Sequence, residues 1–187
     1  MTRIVAGRWK GRTLRTPTGT TTRPTGEKMR AALGNALQAT GALEGASVLD
    51  LYAGTGALGL ELVSRGAVSL VAVEKDRRAL EVLRANVSAL AGGNADLVVE
   101  VVASDVGGAV ARLTGRRFDV VLADPPYDLP DADLTVVLRE IVGLLTGGAD
   151  VVVERSVRSG EPDWPAPLAA VRAKRYGDTL LCYGRAQ

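Results

Sequence analysis

The 187-residue chain has no histidine at all. That absence removes a histidine general base, a Ser-His-Asp triad, a Cys-His pair and every histidine-containing zinc site. Its one cysteine, Cys182, excludes an internal disulfide and any multi-cysteine metal centre, and no metal is expected. Aromatic residues are scarce at 4%, so each can be weighed individually. No apolar run approaches the roughly 18 residues needed to span a bilayer. The segment from Met1 to Arg15 lacks the apolar stretch of a secretory signal. The default expectation is a soluble, cytoplasmic protein without a membrane partner, and a monomer.

What is present is an ordinary globular mix, 47% hydrophobic and 24% charged, of a length that suits one domain with a cleft. The net charge is only +2, but it is unevenly spread. Residues 1–30 hold Arg3, Arg8, Lys10, Arg12, Arg15, Arg23, Lys28 and Arg30 against Glu27 alone, and the remainder is mildly acidic. A basic arm on an acidic body is the footprint of a nucleic-acid binder, although charge runs are often only solvated surface. Trp9, set between Arg8 and Lys10, is placed to stack on a base; the plainer alternative is that it caps a small core. The arm itself is expected to be loosely held until RNA docks.

Along the chain, Arg3–Ala6 and Thr13–Arg15 flank a glycine-containing turn and predict a hairpin. Residues 16–22 read as a linker, so that 1–22 form an extension and 23–187 the main domain. Apolar residues at helical spacing predict a helix from Thr25 to about Thr40. Strands are then expected at Ser47–Tyr52, Ser69–Glu74, Leu97–Ala103, Phe118–Ala123 and Ala149–Glu154. Helices are expected at Ala57–Arg65, Arg77–Ala91, Gly107–Thr114 and Leu134–Leu145. That alternation predicts an α/β, Rossmann-like, mostly parallel sheet with helices on both faces. Ala169–Arg175 and Thr179–Gly184 around Tyr176-Gly177-Asp178 predict a closing hairpin.

Gly54-Thr55-Gly56-Ala57-Leu58-Gly59 fits the G-x-G-x-x-G pattern between a strand and a helix, and Glu74 ends the next strand twenty residues after Gly54. Glycines there admit a ligand close to the backbone, and a carboxylate at that distance suits ribose hydroxyls. Asp50, four residues before the first glycine, would repel a pyrophosphate, which favours the cationic S-adenosylmethionine (SAM) over NAD. Asp105, after the third strand, is placed either to accept from an adenine amino group or to cap the next helix.

Asp124-Pro125-Pro126-Tyr127 ends the fourth strand, at the sheet edge where ligands bind in open α/β folds. An exocyclic amine such as guanine N2 is a poor nucleophile because its lone pair is delocalised into the ring. Asp124 and the Pro125 carbonyl can accept its two hydrogens and localise that lone pair, while two prolines stiffen the backbone. Tyr127 offers a face on which the base can stack, worth about 1–3 kcal/mol. The base must be splayed or flipped out to enter.

On Asp50-Leu51-Tyr52-Ala53-Gly54-Thr55-Gly56-Ala57-Leu58-Gly59 and Asp124-Pro125-Pro126-Tyr127, the chain resembles the class I SAM-dependent methyltransferases that act on exocyclic amines. Arg3-Ile4-Val5-Ala6-Gly7, Gly11-Arg12, Arg23-Pro24-Thr25 and Arg30-Ala31-Ala32-Leu33 resemble more closely the small-subunit ribosomal RNA guanine-N2 methyltransferases of the RsmD type. The resemblance covers nearly the whole chain. It implies a seven-stranded methyltransferase sheet with an N-terminal hairpin, SAM as cofactor, and methyl transfer to N2 of one guanine of 16S rRNA, with the assembled small subunit as preferred substrate. Carried over by residue, Gly54, Gly56, Glu74 and Asp105 fall on cofactor positions and Arg23-Pro24-Thr25 on a loop beside the cofactor pocket; Asp50, Tyr52, Ala53, Thr55, Lys75 and Thr25 are further candidate cofactor contacts. Asp124, Pro125, Pro126 and Tyr127 fall on the catalytic tetrad; the charge of the arm, separately, makes Arg3, Arg8, Trp9, Lys10, Arg12, Arg15 and Arg23 the candidate RNA contacts. Gly26-Glu27-Lys28 departs from the Ser-Asp-Arg more usual in relatives. The alternatives are an adenine-N6 methyltransferase on DNA or RNA, a glutamine-amide methyltransferase, an NAD(P)-dependent oxidoreductase, and a non-catalytic RNA-binding module. The oxidoreductase would want a proton relay, and none of Tyr52, Tyr127, Tyr176 or Tyr183 has a lysine four residues on.

Overall fold

The computed structural model describes residues 2–17 and 24–187, and the side chains of all of these except Pro24 and Thr25. Arg23, Thr25 as a side chain and most of the expected linker therefore lie outside the described residues. In chain order the elements are β1 (Thr2–Arg3), β2 (Thr13–Leu14), α1 (Pro24–Ala39), β3 (Ser47–Asp50), α2 (Ala57–Ser64), β4 (Ser69–Glu74), α3 (Arg77–Ala91), β5 (Val98–Ala103), α4 (Val106–Arg112), β6 (Phe118–Ala123), α5 (Asp131–Ile141), β7 (Leu145–Ser156), β8 (Leu168–Tyr176) and β9 (Thr179–Ala186).

Seven strands form one sheet in the order β5-β4-β3-β6-β7-β9-β8. Pairings from β5 to β7 are parallel, and β9 is antiparallel to both β7 and β8. The central strands are apolar on both faces because both faces are covered: Val48, Leu70, Ala72, Val120 and Leu122 meet α1, α2 and α3, while Leu49, Val71, Val121 and Val151 meet α4 and α5. Among the described residues no helix is long and apolar enough to cross a membrane. Cys182 is buried in the second of these layers, as a small core residue.

The expected seven-stranded α/β sheet and the N-terminal hairpin are both present. The largest difference lies between α5 and β7. Apolar spacing predicts a helix over Leu134–Leu145, but α5 starts at Asp131 and ends at Ile141, a single 3-10 turn follows over Val142–Leu144, and β7 is already under way at Leu145. Leu144 and Leu145 continue the helical apolar spacing, so periodicity cannot see the change. The Gly147–Gly148 pair then lets the strand bulge: Phe118 pairs with Leu145, but Val120 pairs with Asp150.

The N-terminal hairpin is tied down, contrary to the expected loose arm. Ile4, Trp9 and Leu14 belong to the same core as α1 and α2. Glu61, wholly buried on α2, accepts from Val5 N at 2.7 Å and Ala6 N at 3.0 Å, and pairs with Arg65 Nε at 2.7 Å. Ser64 Oγ accepts from Trp9 N and donates to the Ala6 carbonyl, at 3.0 and 2.6 Å. Gly7 (φ +83°) lies so close to α2 that a Cβ would fall 1.8 Å from the Ser64 carbonyl oxygen, so both conformation and space demand glycine there. At the exit of the hairpin Asn86 of α3 accepts from Arg15 N at 2.8 Å, and its amide donates to the carbonyls of Arg15 and Thr55. One buried amide thus links the hairpin to the glycine loop.

Candidate functional site

The glycine loop is built by the turn that follows β3. Gly54 (φ +54°) and Gly56 (φ +80°) both occupy the left-handed region, which costs a residue with a Cβ but not glycine. Gly56 also lies where a Cβ would meet Leu83 at 2.5 Å. Gly59 lets α2 settle on the sheet: a Cβ would come within 3.0 Å of Asp50 Oδ2, which instead accepts from Gly59 N at 3.1 Å. Glu74 holds the loop from the neighbouring strand end. Its carboxylate accepts from Gly54 N at 2.8 Å and from the amides of Lys75 and Asp76 at 2.7 and 2.8 Å.

These elements border a cleft of about 1080 Å³, the size of a cofactor-and-substrate site. Asp50, Tyr52, Ala53, Gly54 and Thr55 line it on one side, Asp124 and Tyr127 on another. Pro125 and Pro126 line an adjoining shallow pocket with Tyr127 and Glu154. The two sequence motifs, 70 residues apart, therefore open on one space, because β3 and β6 are parallel neighbours and both end at the same sheet edge. Tyr127 is 72% exposed, which leaves its ring face free to receive a flat base.

Gly56, Glu74, Lys75 and Asp105 do not line the cleft. Glu74 is occupied with the three amides named above. Asp105 is the N-cap of α4, accepting from Gly108 N at 2.8 Å, which is the plainer of the two roles its position suggests. On the arm, Arg3, Arg8, Lys10, Arg12 and Arg15 are exposed, and Arg12 Nη2 donates to the Ala89 carbonyl. Trp9 is 7% exposed. Its ring belongs to the core shared with α1 and α2, so stacking of Trp9 on a base is corrected in favour of the plainer reading, that it caps a small core.

The electrostatics of the cleft are set by acids crowded at one edge. Burial pushes the Asp50 carboxyl up to about 7, the Gly59 amide opposes this, and the charges of Asp124 and Glu74 add to it. Asp124 is ringed by protein yet open to the cleft, and that enclosure raises its carboxyl to about 6. Glu154 belongs to neither sequence motif. Pairing of Ala123 with Val153 brings it beside Asp124. Burial, then the Asp124 charge, raises it to about 8, against a hydrogen bond from the Thr179 side chain. Its Oε2 makes no hydrogen bond. The sequence does carry a signal for it, since the strand expected over Ala149–Glu154 ends on it, at the edge where β4 ends at Glu74 and Asp124 follows β6. One further wall comes from Arg158, Arg175, Gly177 and Asp178, and another from Met29 and Arg30 of α1. No local pattern places the turn of the C-terminal hairpin there.

A glycine loop after the central strand and an Asp-Pro-Pro-Tyr rim after its parallel neighbour, on a sheet of this order, define a Rossmann-like methyltransferase. Residues 2–185 match the family model described as conserved hypothetical protein 95. Ribosomal RNA small subunit methyltransferase D of Escherichia coli (strain K12) is 36% identical over 175 residues, 94% of this chain and 85% of that protein. Among solved structures, Escherichia coli yhhF, described there as a candidate methyltransferase, superposes with a TM-score of 0.84 at 31% identity, covering 100% of this chain and 98% of that one. A hypothetical protein of Thermus thermophilus gives 0.79 at 30% identity over 98% of each. The chain belongs to this family, that of the small-subunit ribosomal RNA methyltransferases of the RsmD type.

Proposed function

We propose that this protein transfers a methyl group from SAM to the exocyclic N2 of a guanine in 16S ribosomal RNA, presented within the small-subunit particle. The observation that carries the reading is the shared cleft: the Asp124–Tyr127 rim and the Asp50–Thr55 loop face one cavity, with the acids Asp50, Asp124 and Glu154 at the strand ends between them. Acids suit the ammonium and sulfonium of SAM and oppose the pyrophosphate of a nicotinamide dinucleotide. Asp50, Tyr52, Ala53, Gly54 and Thr55 would hold the cofactor, with Glu74 fixing the loop and Asp105 at the start of α4. When bound, SAM supplies an electrophilic methyl carbon on a sulfonium.

The residues then have only to place and polarise the amine. Asp124 and the Pro125 carbonyl accept the two amino hydrogens, directing the lone pair outward. Tyr127 stacks the base. Glu154 lies beside Asp124 at the rim and offers a second acidic group to the edge of the base; the choice of guanine over adenine rests on the resemblance to the RsmD type. The Escherichia coli relative's name supports ribosomal RNA of the small subunit as the substrate class.

The test is mass spectrometry of nucleosides from small-subunit particles incubated with the protein and labelled SAM. N2-methylguanosine is the expected product, and N6-methyladenosine would replace this reading with its alternative. Asp124→Asn should lower turnover by about 100-fold or more, the scale of losing an acceptor that acts in the transition state, while SAM binding, read by calorimetry, stays within about threefold.

A further inference from the structure

Arg30 projects from α1 into the cleft while only 8% of its surface is exposed. Its Nη2 donates to the Arg3 carbonyl at 3.1 Å, and its Nε makes no hydrogen bond. Among the described residues it forms no ion pair. Of the two acids whose charges act on it, the stronger, Glu61, is already engaged by Arg65 and two backbone amides. Burial lowers the pKa of Arg30 from its usual value, with the charges of Glu61 and Glu27 acting against that. An arginine nevertheless stays cationic at any physiological pH. A buried cation without an anion is costly, and the cost is removed when an anion enters the cleft beside it.

The distribution of charge around the cleft says which anion. Asp50, Asp124 and Glu154 are acids, and they suit the positive groups of SAM. The one anionic group of SAM is the α-carboxylate of its methionine part. Three arginines line the cleft. Arg158 follows β7 and Arg175 precedes the β8–β9 turn, on the side of the sheet beyond the Asp-Pro-Pro-Tyr rim. Arg30 comes from the other side. Its helix packs on α2, where Arg65 Nη1 donates to Asn35 and Gln38 of α1, and α2 is the helix that the glycine loop opens.

We propose that Arg30 binds the α-carboxylate of the methionine part of SAM. The assignment rests on SAM being the cofactor. A planar guanidinium matches a carboxylate with two parallel hydrogen bonds, and burial keeps water from competing for either. The bond from Arg30 to the Arg3 carbonyl then gives the N-terminal hairpin a part in cofactor affinity, because the hairpin holds the guanidinium at the cleft wall.

The test is a cycle between residue and ligand, read by titration calorimetry. Wild type, Arg30→Met and Arg30→Lys are each titrated with SAM and with decarboxylated SAM, which lacks only the carboxylate. The wild type is expected to prefer SAM by about 10- to 150-fold, the range of a charge-assisted hydrogen bond. Arg30→Met should bind the two with equal affinity, and Arg30→Lys should retain part of the preference. If Arg30→Met weakens both ligands alike and keeps the wild-type preference, Arg30 acts only by holding the hairpin and the assignment fails. If the wild type itself binds both equally, the carboxylate is held elsewhere or not at all. If the wild type binds neither, the SAM reading falls, and this assignment with it.

Discussion

The hairpins at the two ends of the chain read alike in sequence. Each has short apolar stretches around a glycine turn, with arginines close by, and each reads as a margin of the domain. In the structure they differ sharply. The N-terminal hairpin is held to α2 and α3 by buried polar bonds, to Glu61, Ser64 and Asn86, and it does not line the cleft. The C-terminal hairpin is held by β-sheet pairing to β7, which leaves its turn free to form a cleft wall. How an element is anchored decides which part of it remains available. Anchoring to α2 fixes the turn of the first hairpin, since the amides of Val5, Ala6, Arg8 and Trp9 all donate to Glu61 or Ser64. Backbone anchoring of the second consumes its strands and releases its turn.

That contrast can be broken most forcefully at Glu61. Glu61→Ala removes the acceptor of two hairpin amides and leaves Arg65 buried with no anion. A loss of about 3–5 kcal/mol is expected, visible as a melting temperature lower by roughly 10 °C. A loss below about 1 kcal/mol would mean that the hairpin is held by packing alone.

A smaller effect is expected on RNA. Arg158 and Arg175 are exposed at the cleft mouth, while Arg8, Lys10 and Arg12 are exposed on the N-terminal hairpin. Replacing the first pair by alanine should flatten the salt dependence of RNA binding by about two in the log–log slope, and replacing the hairpin trio by about three. Filter binding over a salt series reads both. A set that leaves the slope unchanged does not meet the RNA, and the hairpin carrying it drops out of the footprint.

The third effect is on stability against pH. Asp50, Asp124 and Glu154 all titrate above their ordinary values, at about 7, 6 and 8. The folded state therefore holds protons that the unfolded chain has released, so stability declines as pH rises from about 4 to 8. Glu154→Gln removes the highest of the three and should soften the decline toward pH 8. Denaturant melts at about pH 5, 6.5 and 8 would show this, and an unchanged slope would place Glu154 in a better-solvated setting than its orphan oxygen indicates.

Sequence reading succeeds where the determinants are local. The Gly54–Gly59 loop, Asp124–Tyr127, the β4 strand ending at Glu74 and α3 over Arg77–Ala91 lie where expected, because positive φ, rigid prolines and apolar period are properties of neighbours in the chain. It fails at Trp9, Glu61 and Glu154. A tryptophan between two bases has the same local signature whether it faces solvent or α2, and Glu61 looks like any helical surface acid until the hairpin closes over it.

The amino-acid order alone determined the alternation of strands and helices and the chemistry of the two motifs, since side-chain period and backbone freedom act over a few residues. Only the tertiary structure decided which charges share the cleft. Parallel register puts Glu154 beside Asp124, and α1 against α2 buries Arg30 at its wall. Those contacts join residues dozens of positions apart, and their energies come from desolvation, which no stretch of chain possesses until the others have packed around it.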